Sequence, residues 1–490
     1  MTERTSPFQS IPSGNPSPAS TPVPEQAKVR PFAALSSTSV LEYCCPGETE
    51  SISRAVHLSR MAAFYPKCRE CPHNTETGSL AVPLQAGKPA PAKPVHREPT
   101  PAELFREEGV RGVYLNEINR TRAEQITATF ARLLWRERPL IGSQELDPIH
   151  RKKPRPVSSV PVPKVVVGYD QRPSAPDLVM GVYSRLRLMG CEVIDIGLST
   201  KPCFLHTVHH LEGASGILVT GANAETSSIG LDFVGAGAVP WSLQGQLSTI
   251  QSNWERAASR PRRQSPPQRT FQAFVPYEAS LWKHFHALRP LTIAVASPSR
   301  LVLRTLTRIF DSLPCTLKPM TLPLRGLRSS MAGDSVLKGS PKNDLDITQL
   351  QEFISTENAD FGFLIEEDGM RCQTLDEQGQ VVSSEELTLM LAELLLDVRR
   401  PVLLDEASNE TLIATLRMLG LNVLTGITTH EETCKQLAAQ NGLLAGGKSG
   451  YFWYNNLFPT ADAILTLAHI LQMLSRQVKP LSELRPGTIS

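Results

Sequence analysis

The chain has 490 residues, 41% of them hydrophobic and 20% charged, with a formal net charge of +2. That is enough apolar material for two or three cores, with no charge excess aimed at nucleic acid or a membrane surface. No stretch approaches the ~20 apolar residues that span a bilayer and no basic cluster with an apolar run opens the chain, so a cytoplasmic protein without membrane or nucleic-acid partners is expected.

Forty prolines cluster at the joints of the chain. Residues 1–40 are rich in Ser, Thr and Pro and poor in large apolar groups; burial there is too small to offset the entropy of ordering, and a disordered tail is expected. Residues 41–80 carry Cys44 and Cys45, then Cys68, Arg69, Glu70, Cys71, Pro72 and His73, with His57 between. A Cys-x-x-Cys pair offers two thiolates to one tetrahedral ion, and an upstream Cys or a His completes the set. Cys44, Cys45, Cys68, Cys71 and His73 are therefore candidate ligands of a structural zinc. The alternative is free thiols on a short helical hairpin, since Ile52, Val56 and Met61 fall near helical spacing. Nine cysteines in all, scattered and odd in number, suit reduced thiols better than a disulfide framework. Residues 81–101 read as a Pro/Ala linker. Residues 147–164 read as a loop inside a domain, 257–270 as a domain boundary, and the Gly/Ser-rich 325–343 as the lead into the last folded segment.

Residues 164–168 are a β-branched run, after which Leu178, Val182, Leu186 and Met189 recur at helical spacing until Gly190. A second apolar strand follows over 191–196, a short helix marked by Leu205, Val208 and Leu211, and a third strand over 216–220. Strands alternating with helices of this length predict βαβ units and a parallel sheet. Ligands of such sheets bind beyond the carboxyl ends of strands. The turn Thr220, Gly221, Ala222, Asn223, Ala224, Glu225 lies at such an end. His209 and His210 fall on a helix expected at the surface. No internal repeat stands out in motif content, although three segments share the strand-then-helix rhythm.

Four motifs then carry a family resemblance. Residues 104–112, Leu-Phe-Arg-Glu-Glu-Gly-Val-Arg-Gly, are similar to the Phe-Gly-Thr-x-Gly-Ile-Arg-Gly opening of phosphoglucomutases and phosphomannomutases. Residues 167–174, Val-Gly-Tyr-Asp-Gln-Arg-Pro-Ser, resemble their Gly-x-Asp-x-Arg-x-Ser segment. Residues 359–379 resemble the metal-loop region and 446–451 the sugar-binding Gly-Glu-x-Ser-Gly-His loop, in family order, over roughly residues 101–476. The resemblance is to the alpha-D-phosphohexomutases. It implies an α/β fold of three consecutive α/β/α domains with mixed, mostly parallel sheets, at 102–256, 271–342 and 343–478. It also implies a sugar phosphate as partner and a role in carbohydrate metabolism.

Against that pattern the chain departs at each functional motif. The family's phosphoserine hands a phosphoryl group to the sugar and takes one back; its position here is Ala222, which has no oxygen. Losing a catalytic nucleophile costs on the order of a million-fold. A hydroxyl on Thr220, Thr226, Ser227 or Ser228 would make an active intramolecular phosphotransferase with a non-standard nucleophile, but in-line geometry tolerates no more than ~1 Å of displacement. The Asp-Gly-Asp-x-Asp-Arg loop has become Glu366, Glu367, Asp368, Gly369, Met370, Arg371. A thioether contributes nothing to a hard ion, so Glu366 and Asp368 remain as a weak Mg²⁺ pair, or the stretch is an acidic surface turn without metal. The sugar loop has Gly447 and Tyr451 for Glu and His and keeps Ser449. Arg111, Arg172, Ser174 and Arg371 match phosphate-contacting positions or their loops, and guanidinium forks suit phosphate. After the helix near 464–474 too few residues remain for the family's fourth domain, which is expected to be absent. The sequence thus points to a pseudoenzyme that binds a sugar phosphate or a protein partner, with the active mutase as the alternative.

Overall fold

The structure, a computed structural model, describes residues 42–44, 51–53, 56–57, 59–60, 71–73, 100–136, 162–222, 224–255, 266–324 and 344–486. The chain divides into two units, Met1–Val95 and His96–Ser490. In the first, β1 (Glu42–Cys44) and β2 (Ser51–Ser53) form an antiparallel hairpin that pairs Tyr43 with Ile52. Ile52 is thus a strand residue and not part of a helical hairpin: a β-branched residue opposite an aromatic favours the ladder. The Tyr43 ring stacks on His57 at 4.2 Å and meets His73 edge-on at 5.3 Å. Of the expected zinc ligands, Cys44 is exposed and Cys71 buried. Cys45 and Cys68 lie outside the described residues, as do the Ser/Thr/Pro tail and nearly all of the Pro/Ala linker.

Among the described residues the second unit holds three sheets. The first runs β3-β7-β6-β4-β5-β8, formed by β3 (Val110–Val113), β4 (Lys164–Tyr169), β5 (Glu192–Leu198), β6 (Ser215–Thr220), β7 (Ser228–Val234) and β8 (Arg269–Thr270). The second runs β10-β9-β11-β12-β13, formed by β9 (Thr292–Ser297), β10 (Thr316–Thr321), β11 (Phe361–Ile365), β12 (Cys372–Leu375) and β13 (Val381–Val382). The third runs β15-β14-β16-β17-β18, formed by β14 (Val402–Asp405), β15 (Val423–Ile427), β16 (Leu444–Gly446), β17 (Trp453–Asn455) and β18 (Pro459–Ala461).

All three share one plan. The leading strand of each unit, β4, β9 or β14, lies in parallel between the next two, and the third of the set turns back into an antiparallel neighbour. The loops after β6, β11 and β16 are therefore the same turn in three copies of one unit. Those loops are the Ala222 turn, the 366–371 turn and the 447–451 turn. The repeat is hidden in motif content because backbone topology needs only buried apolar strands, and the turn residues differ. β6, β11 and β14 are buried along their whole length, as strands covered on both faces must be.

Two expectations change. The division at 342/343 cuts through the second sheet, because β11 pairs with β9 and β12 and β13 follow it. The 325–343 stretch precedes the helix that returns the chain from β10 to β11, so it lies inside a crossover; the second domain extends to about residue 382. Domain I likewise reaches past 256, since β8 pairs with β5. The βαβ reading of 164–220 matches the elements: α1 (Ala175–Leu188) lies between β4 and β5, with Gly190 at φ 78° after it, and α2 (Lys201–His210) joins β5 to β6. α2, however, is not a surface helix. Cys203, Phe204, Leu205 and Val208 are buried, His206 is 8% exposed, and His209 stacks on Phe458 at 4.5 Å, so neighbouring domains cover the side away from the first sheet. Among the described residues no helix is long and apolar enough to cross a membrane.

Candidate functional site

β6 ends at Thr220, and the backbone there is fixed by Asp170 at the end of β4. Its carboxylate accepts the Gly221 N–H at 2.8 Å through Oδ2 and the Arg172 N–H at 3.0 Å through Oδ1. Only glycine fits at 221: a Cβ would lie 2.6 Å from Arg172 Cδ and Nε. Ala222 is 8% exposed and its N–H donates to Thr220 Oγ1 at 3.0 Å. In front of it opens a small cleft whose wall includes Asp170, Thr200, Lys201, Thr220, Ala222 and Asp368.

Behind that wall Arg172, 2% exposed, has every guanidinium nitrogen committed. Nε and Nη2 fork onto the Glu367 carboxylate at 2.9 and 2.7 Å. Nη1 donates to the Glu225 and Ser228 carbonyls at 2.7 and 2.8 Å, and Nη2 to the Ala224 carbonyl at 3.2 Å. One side chain thus ties the Ala222 loop to the 366–371 turn. Burial pushes the Glu367 carboxyl up and the Arg172 fork only partly opposes it, with Asp170 and Asp368 adding to the rise.

The 366–371 turn is not an acidic surface turn. Asp368 is 4% exposed; its Oδ1 accepts the Met370 and Arg371 N–H groups at 2.8 and 3.1 Å, and its Oδ2 accepts the Tyr451 hydroxyl at 3.2 Å. Met370 is fully buried in the main apolar cluster. Burial lifts Glu366 to about 7, with Arg371 opposing and Asp368 among the carboxylates that add to it. Magnesium needs several carboxylate or water oxygens in octahedral array. The donor set does not fit it: Glu367 is forked to Arg172, Met370 belongs to the core and supplies no oxygen, and Asp368 already holds two N–H groups on Oδ1 and the Tyr451 hydroxyl on Oδ2. Arg371 is 6% exposed, with its guanidinium carbon 5.7 Å from the Tyr451 ring centroid.

In the third turn Gly447 has φ 135°, and a Cβ there would lie 2.5 Å from Asp405 Oδ2 and closer still to Ser408 Oγ. A glutamate cannot stand where this backbone stands. Asp405 holds the turn by accepting the Ser449 N–H at 3.1 Å and the Ser408 hydroxyl at 2.7 Å, and burial raises its pKa. Ser449 faces its own turn, its Oγ 3.4 Å from the Tyr451 N–H.

Arg111 lies 2.7 Å from Asp232, which also pairs with Lys201 at 3.1 Å. Burial would raise the Asp232 pKa, but the two cations outweigh it and bring the carboxyl to about 2. Burial would lower Lys201, but Asp232, Glu108 and Asp368 hold it above its ordinary value. Lys201 is the cleft residue that sequence reasoning missed; its signal was topological, the first helical position after the carboxyl end of β5. Glu108 and His430 carried no signal, being 322 residues apart. Glu108 Oε2 lies 2.5 Å from His430 Nδ1 and its Oε1 accepts the His430 N–H at 2.5 Å, which joins the first domain to the third. Ser174 sits at the N-cap of α1 without a side-chain capping bond. The structure therefore brings together Asp170, Arg172, Ala222, Glu367 and Asp368, joins Asp368 and Arg371 to Tyr451, and places Arg111 on Asp232, Ser449 on its own turn and Ser174 at the start of α1. Chemically, the cleft presents hydroxyls, the carboxylates of Asp170, Glu367 and Asp368 and the Lys201 ammonium, while the Arg172 guanidinium is engaged behind its wall.

Residues 157–256 match the family described as phosphoglucomutase/phosphomannomutase, alpha/beta/alpha domain I. The chain is 26% identical over 388 residues to phosphomannomutase/phosphoglucomutase of Pseudomonas aeruginosa, covering 77% of this chain and 75% of that protein. It is 24% identical over 397 residues to phosphoglucosamine mutase of Frankia alni, covering 78% and 80%. A phosphoglucomutase/phosphomannomutase family protein from Burkholderia thailandensis superposes with a TM-score of 0.65 at 21% identity, over 79% of this chain and 80% of that one.

Proposed function

Starting from a chain that is phosphohexomutase-like in fold and in its first domain, we propose a binding protein built on that isomerase scaffold, without a phosphoserine cycle. One observation carries the reading. The reacting position is Ala222, and the loop around it is held by an internal Arg172–Glu367 fork. Phosphoryl transfer through the enzyme needs an oxygen that forms and then breaks a P–O bond, and a methyl group supplies none. A hydroxyl elsewhere is a poor substitute: Thr220 is 2% exposed and its Oγ1 already accepts the Ala222 N–H.

The ligand of this reading is a sugar phosphate or a protein partner of a cytoplasmic protein. A sugar phosphate must compete with carboxylates already paired to Arg111, Arg172 and Lys201, which favours weak affinity. The test is a coupled turnover assay with the 1-phosphates of glucose, mannose and glucosamine, run beside a thermal-shift series of the same compounds. Turnover no greater than the buffer control supports the proposal. Turnover abolished by Thr220→Val would overturn it in favour of a relocated nucleophile.

A further inference from the structure

We infer that the guanidinium of Arg172 stands as a resident cation where the metal loop would hold an ion, fixed by Glu367 between the Ala222 loop and the 366–371 turn, and that the turn takes no divalent metal. The inference rests on the phosphohexomutase-like reading of the three turns but does not require the loss of activity. Three carboxylates, Asp170, Glu367 and Asp368, line the cleft, and a fourth, Glu366, belongs to the same turn. So many carboxylates at one place need positive charge among them.

Arg172 supplies it in a form a metal cannot share. A guanidinium offers five N–H donors in a fixed plane, and five hydrogen bonds between 2.7 and 3.2 Å leave its three nitrogens: two to Glu367 and three to the carbonyls of Ala224, Glu225 and Ser228. The carbonyls come from the loop and the carboxylate from the turn, so the bridge between them is the arginine itself. Gly221 gives the side chain its passage, since any Cβ there would overlap it. Glu367 makes the arrangement possible. It stands where the family pattern has glycine, and without its carboxylate the fork would have no acceptor on the turn. A divalent ion on this turn would have to draw the Glu367 carboxylate away from Arg172, while Met370, where the family pattern has its third carboxylate, stayed in the core.

The experiment uses the full chain. Mn²⁺, as a probe for Mg²⁺, is titrated into the protein and followed by electron paramagnetic resonance, and melting temperatures are compared in EDTA and in millimolar MgCl₂ for wild type and Glu367→Gln. The expected result is no bound Mn²⁺ at millimolar concentration and equal wild-type Tm in both buffers. Glu367→Gln should lower Tm by about 5 °C or more, because a buried arginine loses its partner. One Mn²⁺ per chain that Asp368→Asn abolishes, or a Glu367→Gln protein as stable as wild type, would overturn the inference. If Glu367→Gln does not fold, the wild-type titration decides alone. Phosphoryl transfer is read in a separate assay, so a metal found without turnover defeats this inference and leaves the proposed function standing.

Discussion

Gly447→Ala probes whether the third turn has room for any side chain at position 447. At φ 135° an L-residue carries a backbone cost of about 1–3 kcal/mol. The new methyl would also sit 2.5 Å from Asp405 Oδ2. Relief requires Asp405 to move, and Asp405 is held by the Ser449 N–H and the Ser408 hydroxyl. Loss of a hydrogen bond to a buried carboxylate adds about 1–3 kcal/mol, for a total of about 2–6 kcal/mol. Gly213→Ala is the control: φ is 70° there and no atom lies within 4 Å of the added methyl, so only a left-handed backbone cost of about 1–2 kcal/mol applies. Thermal unfolding of both variants, read by scanning calorimetry, should show a loss about 1–3 kcal/mol greater for Gly447→Ala, the hydrogen-bond cost that the control lacks. Equal losses would refute the idea that steric exclusion by Asp405 and Ser408 shapes this turn.

Ala222→Ser should not bring turnover above the buffer control in the coupled assay, because the added hydroxyl leaves the Arg172–Glu367 fork and Met370 as they are; measurable mutase activity would mean that the rest of the machinery is intact. Met370→Asp, which would supply the third carboxylate of the family's metal loop, should lower stability by at least about 2 kcal/mol in denaturant unfolding, since it places a charge in the apolar cluster; a midpoint unchanged from wild type would contradict this placement. Glu108 is pushed up by burial but pulled further down by His430, so its folded pKa lies below the ordinary carboxylate value. Its stabilisation is therefore present above that ordinary value, about 4.3, and lost as pH falls through the lower folded one. Glu108→Gln should flatten the loss of Tm between about pH 5 and pH 3, and parallel wild-type and variant curves would disprove it.

Local pattern carried the strand-helix-strand course of 164–220, because β-branched runs and helical spacing are properties of neighbouring residues. The resemblance located the three turns and the alanine at 222. What sequence reading could not supply was pairing over distance. Glu367 reads as one more acidic residue beside Arg371 until Arg172, 195 positions earlier, is seen to need it as an acceptor. The second domain boundary was misplaced for the same reason, since a Gly/Ser-rich stretch looks alike whether it links domains or crosses over within one sheet. Lys201 lacked any motif, and α2 read as a surface helix because nothing nearby in sequence announces that Phe458 packs on it; only its last residue, His210, is exposed.

The most direct test of a missing phosphoserine cycle is the intact mass of the purified chain after incubation with glucose 1,6-bisphosphate. An unchanged mass is the expected result. Gain of one phosphoryl group, lost again when glucose 1-phosphate is added, would contradict it and restore the mutase reading.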